Sequence, residues 1–314
     1  MKVALFGSGA RAKVVLQALL CAGVNVPICV YSGDRNDDPF AGLAIAKGLT
    51  VLGPENLGND PRFLAELRER SPDILLSVAY HHLLNLDVLE CFGECINFHA
   101  GDLTRFRGCS PMNWALADGE ATFTISALRM DMGIDSGDVI KEKTFEISVN
   151  ETISELHEIA AFTFAEFALD IVSKIQGDSL TTTPSPSPLE VHRYCSRRFP
   201  DDALVLWDKM SAWEVHNLIR ASSLPYGGAI SFLYGYEVRL WKSLWTPEIE
   251  IKTAPGRVCR ISKDGIYVGA QDQALLLTEV EFSDQNTNLL STVKLYDKFQ
   301  TMSDFLLSHM RQSQ

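Results

Sequence analysis

The sequence predicts an α/β chain: a Rossmann-like, mostly parallel sheet followed by a small β-barrel. Three observations carry this reading. Strand-like apolar runs alternate with helical patterns from Lys2 to Gly177, the rhythm of βαβ units. A stretch with no apolar periodicity, Leu-Thr-Thr-Thr-Pro-Ser-Pro-Ser-Pro from Leu180 to Pro188, interrupts that rhythm. Short strand-like runs punctuated by glycine then follow one another, as in a small barrel. The expected organisation is a Rossmann-like domain over 1–179, a linker over 180–200, a barrel over 201–285 and a weakly helical tail over 286–314.

Each element has a local reason. Lys2 to Phe6 is a strand; Gly7-Ser8-Gly9-Ala10-Arg11-Ala12 turns the chain into a helix that stops at Gly23, and Val26 to Tyr31 is the next strand. Asp60-Pro61 opens a helix with Phe63, Leu64 and Leu67 on one face. Asp73 to Val78 is a continuous apolar run, as expected of a strand covered on both faces, and Tyr80-His81-His82-Leu83-Leu84 is a loop at its carboxyl end. Cys95 to Phe98 is a strand and Pro111 begins a short helix that ends near Gly119. Thr122 to Met130 and Val139 to Ile147 are strands, and Thr152-x-x-Glu155 is a capping box opening a long helix to Gly177. After the linker come one helix, Ala212 to Ala221, and strands at Ala229–Leu233, Glu237–Trp241, Gly256–Ile261, Gly265–Val268 and Ala274–Phe282.

Composition narrows the function. The 314 residues are 46% hydrophobic and 22% charged, with 28 basic against 40 acidic residues and a net charge of -12. That balance opposes broad attraction to nucleic acid, so no nucleic-acid partner is expected. No uninterrupted apolar segment approaches 18 residues and the N-terminus runs straight into a strand, so a cytoplasmic protein without a membrane partner is expected. Seven scattered cysteines suit free thiols better than a disulfide framework; Cys91 and Cys95 are the only close pair, and no metal site is expected.

Two stretches carry chemistry. Gly7-x-Gly9-x-x-Ala12 has dinucleotide-fingerprint spacing, with Asp34 placed as a ribose-binding acid would be; this leaves a NAD-dependent oxidoreductase as one reading. The other stretch is Glu94 to Val139. Asn97 and His99 lie two apart in a strand and so share a face, and Asp135 sits on a glycine-rich turn that can bring a carboxylate to the imidazole. An imidazole can take a proton from an attacking amine while an amide donates to an oxyanion. These are acyl-transfer parts with no protein nucleophile, since neither Cys109 nor Ser110 sits in a nucleophile-elbow pattern. A non-enzymatic binding module is the third reading, and needs the convergence to be accidental.

Asn97-x-His99, Arg107-Gly-x-x-Pro111-x-x-Trp114-Ala, Gly119-Glu120 and Met130-Asp-x-Gly-x-Asp135-x-Gly137-Asp138 resemble the signature of formyltransferases that use 10-formyltetrahydrofolate. Beyond the linker, Arg197-Arg198, Trp207, Glu214-Val-His216-Asn217-Leu-Ile-Arg220-Ala and Pro225-Tyr226-Gly-Gly228-Ala229 resemble the start of the C-terminal barrel of methionyl-tRNA and sugar-nucleotide formyltransferases. The resemblance implies an OB-like C-terminal domain, 10-formyltetrahydrofolate as co-substrate and no metal. It implies Asn97, His99 and Asp135 as the catalytic trio, with His99 as base. It places the folate along Ala79, Tyr80, His81, Leu83, Ile134 and Asp138; the acceptor is expected near Ser8, Gly9, Cys109 and Pro111, with Arg11 and Arg105 as candidates for its diphosphate because a guanidinium engages one bidentately. The pattern departs from the family at Thr104, Cys109 and Gly227, none of them in the trio. The acidic balance selects a nucleotide-linked amino sugar as acceptor, as in lipopolysaccharide O-antigen synthesis, with methionyl-tRNA as the alternative. Such enzymes are often dimers, so a homodimer is compatible.

Overall fold

A computed structural model describes residues 1–33, 37–53, 61–187, 189–246, 251–283, 289–301 and 304. In chain order the first strands and helices are β1 (Lys2–Gly7), α1 (Gly9–Cys21), β2 (Asn25–Tyr31), α2 (Pro39–Ala46), β3 (Thr50–Leu52), α3 (Pro61–Arg70) and β4 (Ile74–Val78). They continue as α4 (Leu86–Leu89), β5 (Glu94–His99), β6 (Arg107–Gly108), α5 (Pro111–Ala117), β7 (Thr122–Arg129), β8 (Val139–Glu146), α6 (Ile153–Gln176) and β9 (Tyr194–Cys195). A seven-stranded sheet runs in the order β3-β2-β1-β4-β5-β7-β8; neighbours are parallel from β3 through β5, and β7 lies antiparallel to β5. Ile74–Val78 is buried throughout, as a central strand of a covered sheet requires.

The chain divides into two compact units that interleave along the sequence. The first holds Met1–Gly108, Phe123–Phe145 and His157–Cys195; the second holds Cys109–Thr122, Glu146–Leu156 and Ser196–Gln314. In the second, β10 (Ala229–Leu233), β11 (Tyr236–Leu244), β12 (Val258–Ser262), β13 (Gly265–Gly269) and β14 (Ala274–Phe282) form an antiparallel sheet ordered β10-β11-β14-β13-β12. Helix α7 (Ala212–Ser222) covers it, opened by a capping box between Ser211 and Glu214.

The polar residues of the α7 motif account for the interleaving. His216 is wholly buried; Nε2 bonds the Val149 carbonyl at 2.9 Å and Nδ1 meets Ser243 Oγ at 2.8 Å. Arg220 donates to the carbonyls of Ser148 and Glu151, and Asn113 Nδ2 reaches the Ala221 carbonyl at 2.9 Å. The segments 109–122 and 146–156 are thus tied to α7 by side chains whose alternative, burial without a partner, is costly.

Two expectations change. Residues 289–301 do not form a helix: Leu289, Val293 and Phe299 are buried in the core of the second unit, with bridges from Leu233 to Phe299 and from Arg257 to Lys298. Their apolar spacing mimics a helix, yet the backbone is satisfied across to the sheet instead. The segment expected as a linker, 180–200, is also paired, Thr183 with Val139 and Tyr194–Cys195 with Arg107–Gly108. Asp34 and Asp60 lie outside the described residues.

Candidate active site

Strand β5 delivers Asn97 and His99 at its carboxyl end, where β4 pairs beside it and β7 pairs on the other side, with Ser126 opposite His99. The turn after β7 returns Asp135 to them. Asp135 has a left-handed backbone (φ 50°), a conformation costing a non-glycine residue about 1–3 kcal/mol and common at functional sites. Gly137 permits the return, because a Cβ there would strike the Arg129 carbonyl.

The Asp135 carboxylate is the hub. Oδ1 accepts from Asn97 Nδ2 at 3.0 Å; Oδ2 accepts the Gly108 N–H at 2.9 Å and faces His99 Nδ1 at 3.3 Å. The His99 and Asp135 side chains are 5% and 9% exposed, so their pairing is screened from water. On its other edge, His99 Nε2 lies 2.8 Å from the Phe106 carbonyl. Each ring nitrogen therefore faces an oxygen. A neutral imidazole donates to one alone, and only a doubly protonated ring satisfies both. In this geometry no lone pair of His99 is presented to an incoming amine, so action as a base requires Nε2 to leave the Phe106 carbonyl. Asn97 keeps its second N–H for an oxyanion.

The glycine fingerprint is closed by the protein itself. Ser8 Oγ donates to Asp38 Oδ2 at 2.5 Å and Gly9 N donates to the same oxygen at 3.1 Å, while Oδ1 caps α2 through the N–H groups of Phe40 and Ala41. A buried carboxylate occupies the position a pyrophosphate takes in a dinucleotide site, which removes the oxidoreductase reading. It also commits the Ser8 hydroxyl and Gly9 amide, expected to hold acceptor. Arg11, on α1, stands near His157, whose imidazole is pushed down to about 3 by burial and by that guanidinium. His157 gave no signal in the sequence beyond its place on a helix.

The loop after β4 starts at Ala79, also left-handed (φ 52°). The Tyr80 ring packs against Phe6 at 5.4 Å and its hydroxyl is buried, which raises its pKa. Leu83 is 83% exposed, and on the loop of Asp135 so are Met132 (70%) and Ile134 (48%). His81 and Asp138 are exposed. Arg105 and Arg193, both exposed, lie over the Phe106 ring at 5.4 and 4.7 Å from its centroid. Cys109 and Pro111 fall in the second unit. All seven cysteines are free thiols, and among the described residues no cluster of three His, Cys, Asp or Glu is arranged to hold a metal. No helix among the described residues is long and apolar enough to cross a membrane.

Residues 1–167 match the family model "Formyl transferase" and residues 199–292 match "Formyl transferase, C-terminal domain". A methionyl-tRNA formyltransferase of Symbiobacterium thermophilum is 32% identical over 90% of this chain and 88% of its own. One of Alkaliphilus oremlandii is 30% identical over 90% and 92%. Among solved structures, the N-formyltransferase of Helicobacter canadensis in complex with folinic acid and dTDP-3-aminofucose superposes with a TM-score of 0.65 at 16% identity, over 88% of this chain and 98% of that one. This last likeness shows the fold. The relatives overturn two expectations, the nucleotide-linked amino sugar as acceptor and the absence of a nucleic-acid partner: at about 30% identity over most of the chain they are tRNA-directed enzymes. The physical reason is that net charge sums over the whole sequence and does not say how cations are arranged locally on the surface. By its matches over both parts of the sequence, this chain belongs to the formyl transferase family.

Proposed function

We propose that this protein transfers the formyl group of 10-formyltetrahydrofolate to the amine of methionyl-tRNA. The observation that carries the acceptor is the similarity, at 30–32% identity over 90% of the chain, to methionyl-tRNA formyltransferases. The geometry around Asp135 supports the chemistry.

The donor supplies a one-carbon unit already activated as an N-formyl group. Asn97 presents an amide N–H to the formyl oxygen as negative charge develops there. Asp135 holds His99 by Nδ1, and His99 Nε2, released from the Phe106 carbonyl, receives the proton that the amine loses as the new C–N bond forms. His99 carries positive charge beside that developing oxyanion and returns the proton to the departing folate nitrogen. Ala79 to Leu83 and Ile134 to Asp138 line the donor's path; the exposed Leu83 and Ile134 suit the faces of its ring systems. Arg105 and Arg193 meet phosphates of the acceptor as exposed guanidinium groups.

The test is incubation of the purified protein with 10-formyltetrahydrofolate and methionyl-tRNA, resolving formylmethionyl-tRNA by acid gel or by mass after deacylation. Accumulation of formylmethionine is expected. A protein that binds folate and leaves methionyl-tRNA untouched disproves the acceptor.

A further inference from the structure

The loop from Asp102 to Gly108 makes two of the contacts that define the site, the Phe106 carbonyl on His99 and the Gly108 N–H on Asp135. That loop is held in turn by the chain after α6. The His192 N–H donates to the Thr104 carbonyl at 2.7 Å, and Arg193 Nε donates to the Arg105 carbonyl at 3.2 Å. Arg107 and Gly108 pair in parallel with Tyr194 and Cys195.

Arg107 is the unusual member. It is 2% exposed, and its guanidinium donates to the Leu103 carbonyl at 2.8 Å, to Ser185 Oγ at 2.9 Å and to the Pro186 carbonyl at 3.0 Å. Among the described residues it forms no ion pair. Burying a cation against uncharged oxygens is a costly way to stabilise a loop, and an apolar side chain fills the same space at less cost. What the planar fork adds is a simultaneous hold, at fixed angles, on the loop that carries the His99 and Asp135 contacts and on the segment strapped across it.

We propose that Arg107 is a positioning residue for formyl transfer. It sets Phe106 O and Gly108 N, and through them the spacing of His99 and Asp135, by locking the loop to Ser185 and Pro186. The chemistry assayed rests on the proposed function; the positioning does not. A lysine keeps the charge and loses the fork, so charge and geometry separate experimentally.

The experiment measures kcat and KM for 10-formyltetrahydrofolate and methionyl-tRNA in R107K, R107A and S185A. It also records the ¹⁵N and ¹H signals of the His99 ring, assigned by their loss in H99N. For R107A, kcat is expected to fall about 100-fold, the scale of a displacement of about 1 Å at reacting groups, with both KM values within about threefold. R107K is expected to fall about tenfold, S185A less, and added guanidinium to restore part of the R107A loss. The His99 signals are expected to shift in R107A and R107K. If R107A does not fold, R107K and S185A carry the same test. Unshifted His99 signals in folded variants, or a kcat of R107A or R107K within about threefold of the parent, overturn the proposal. Should the parent protein itself not formylate, the proposed function falls while the His99 signals still decide the role of Arg107.

Discussion

His99 Nδ1 and Asp135 Oδ2 lie 3.3 Å apart, both side chains nearly buried, and the same oxygen of Asp135 accepts the Gly108 N–H. The carboxylate that orients the imidazole is thus itself aimed by backbone, from a loop distant in sequence. Asp135 is the residue on which the other contacts converge.

Asp135→Asn keeps the shape of the hub and removes its charge. The amide can still accept from Gly108, so the fold is expected to survive, while kcat/KM falls by at least about 100-fold as His99 loses its counter-charge. Steady-state kinetics alongside a thermal melt check this; an active D135N enzyme would take the carboxylate out of proton transfer.

Gly108→Ala is expected to damage stability and activity together. Gly108 has φ +96°, and an added Cβ would stand 2.5 Å from the Cys195 carbonyl oxygen, a backbone atom in the strap. Strain at such a φ alone is worth about 1–3 kcal/mol, so urea denaturation is expected to show a loss of about 2 kcal/mol or more. An unchanged midpoint would mean that the β6–β9 pairing opens readily.

Asp38→Ala removes the acceptor of Ser8 Oγ and Gly9 N and the cap of α2. A lost cap costs about 1 kcal/mol and stranded donors about 1–3 kcal/mol more, so a clear fall in denaturation midpoint is expected. NADH titration of the parent protein, followed by fluorescence, is expected to show no binding, since the carboxylate would repel the pyrophosphate.

Acid should loosen the second unit through His216. Burial pushes this imidazole down from 6.5 to about 4, so the unfolded chain binds its proton more readily than the folded one. Stability from this group is complete above about pH 6.5 and is lost as pH falls from there toward 4. That depression corresponds to roughly 3 kcal/mol in total, of which about 2 kcal/mol is gone by pH 5. Urea unfolding of the parent protein and H216Q at pH 7 and pH 5 checks the sign: H216Q should show the smaller difference between the two pH values.

Local patterning determined much of this protein. The period-two spacing of Asn97 and His99, the continuous run ending at Val78 and the Thr152–Glu155 capping box each state their element within a few residues, and the alternation of strands and helices states the sheet. The motif around Asp135 marked the site because its residue types are chemically specific. The tertiary structure decided what depends on distant partners. Asp38 closes the glycine loop, residues 289–301 lie in the core rather than in a helix, the α7 motif ties segments far away in the chain, and the stretch after α6 straps the loop of Arg107. None of these is visible in a local window, because the partner of each backbone group is chosen by the fold. The acceptor expected from composition was overturned for a related reason: net charge is a property of the whole sequence and does not report how cations are placed on the folded surface.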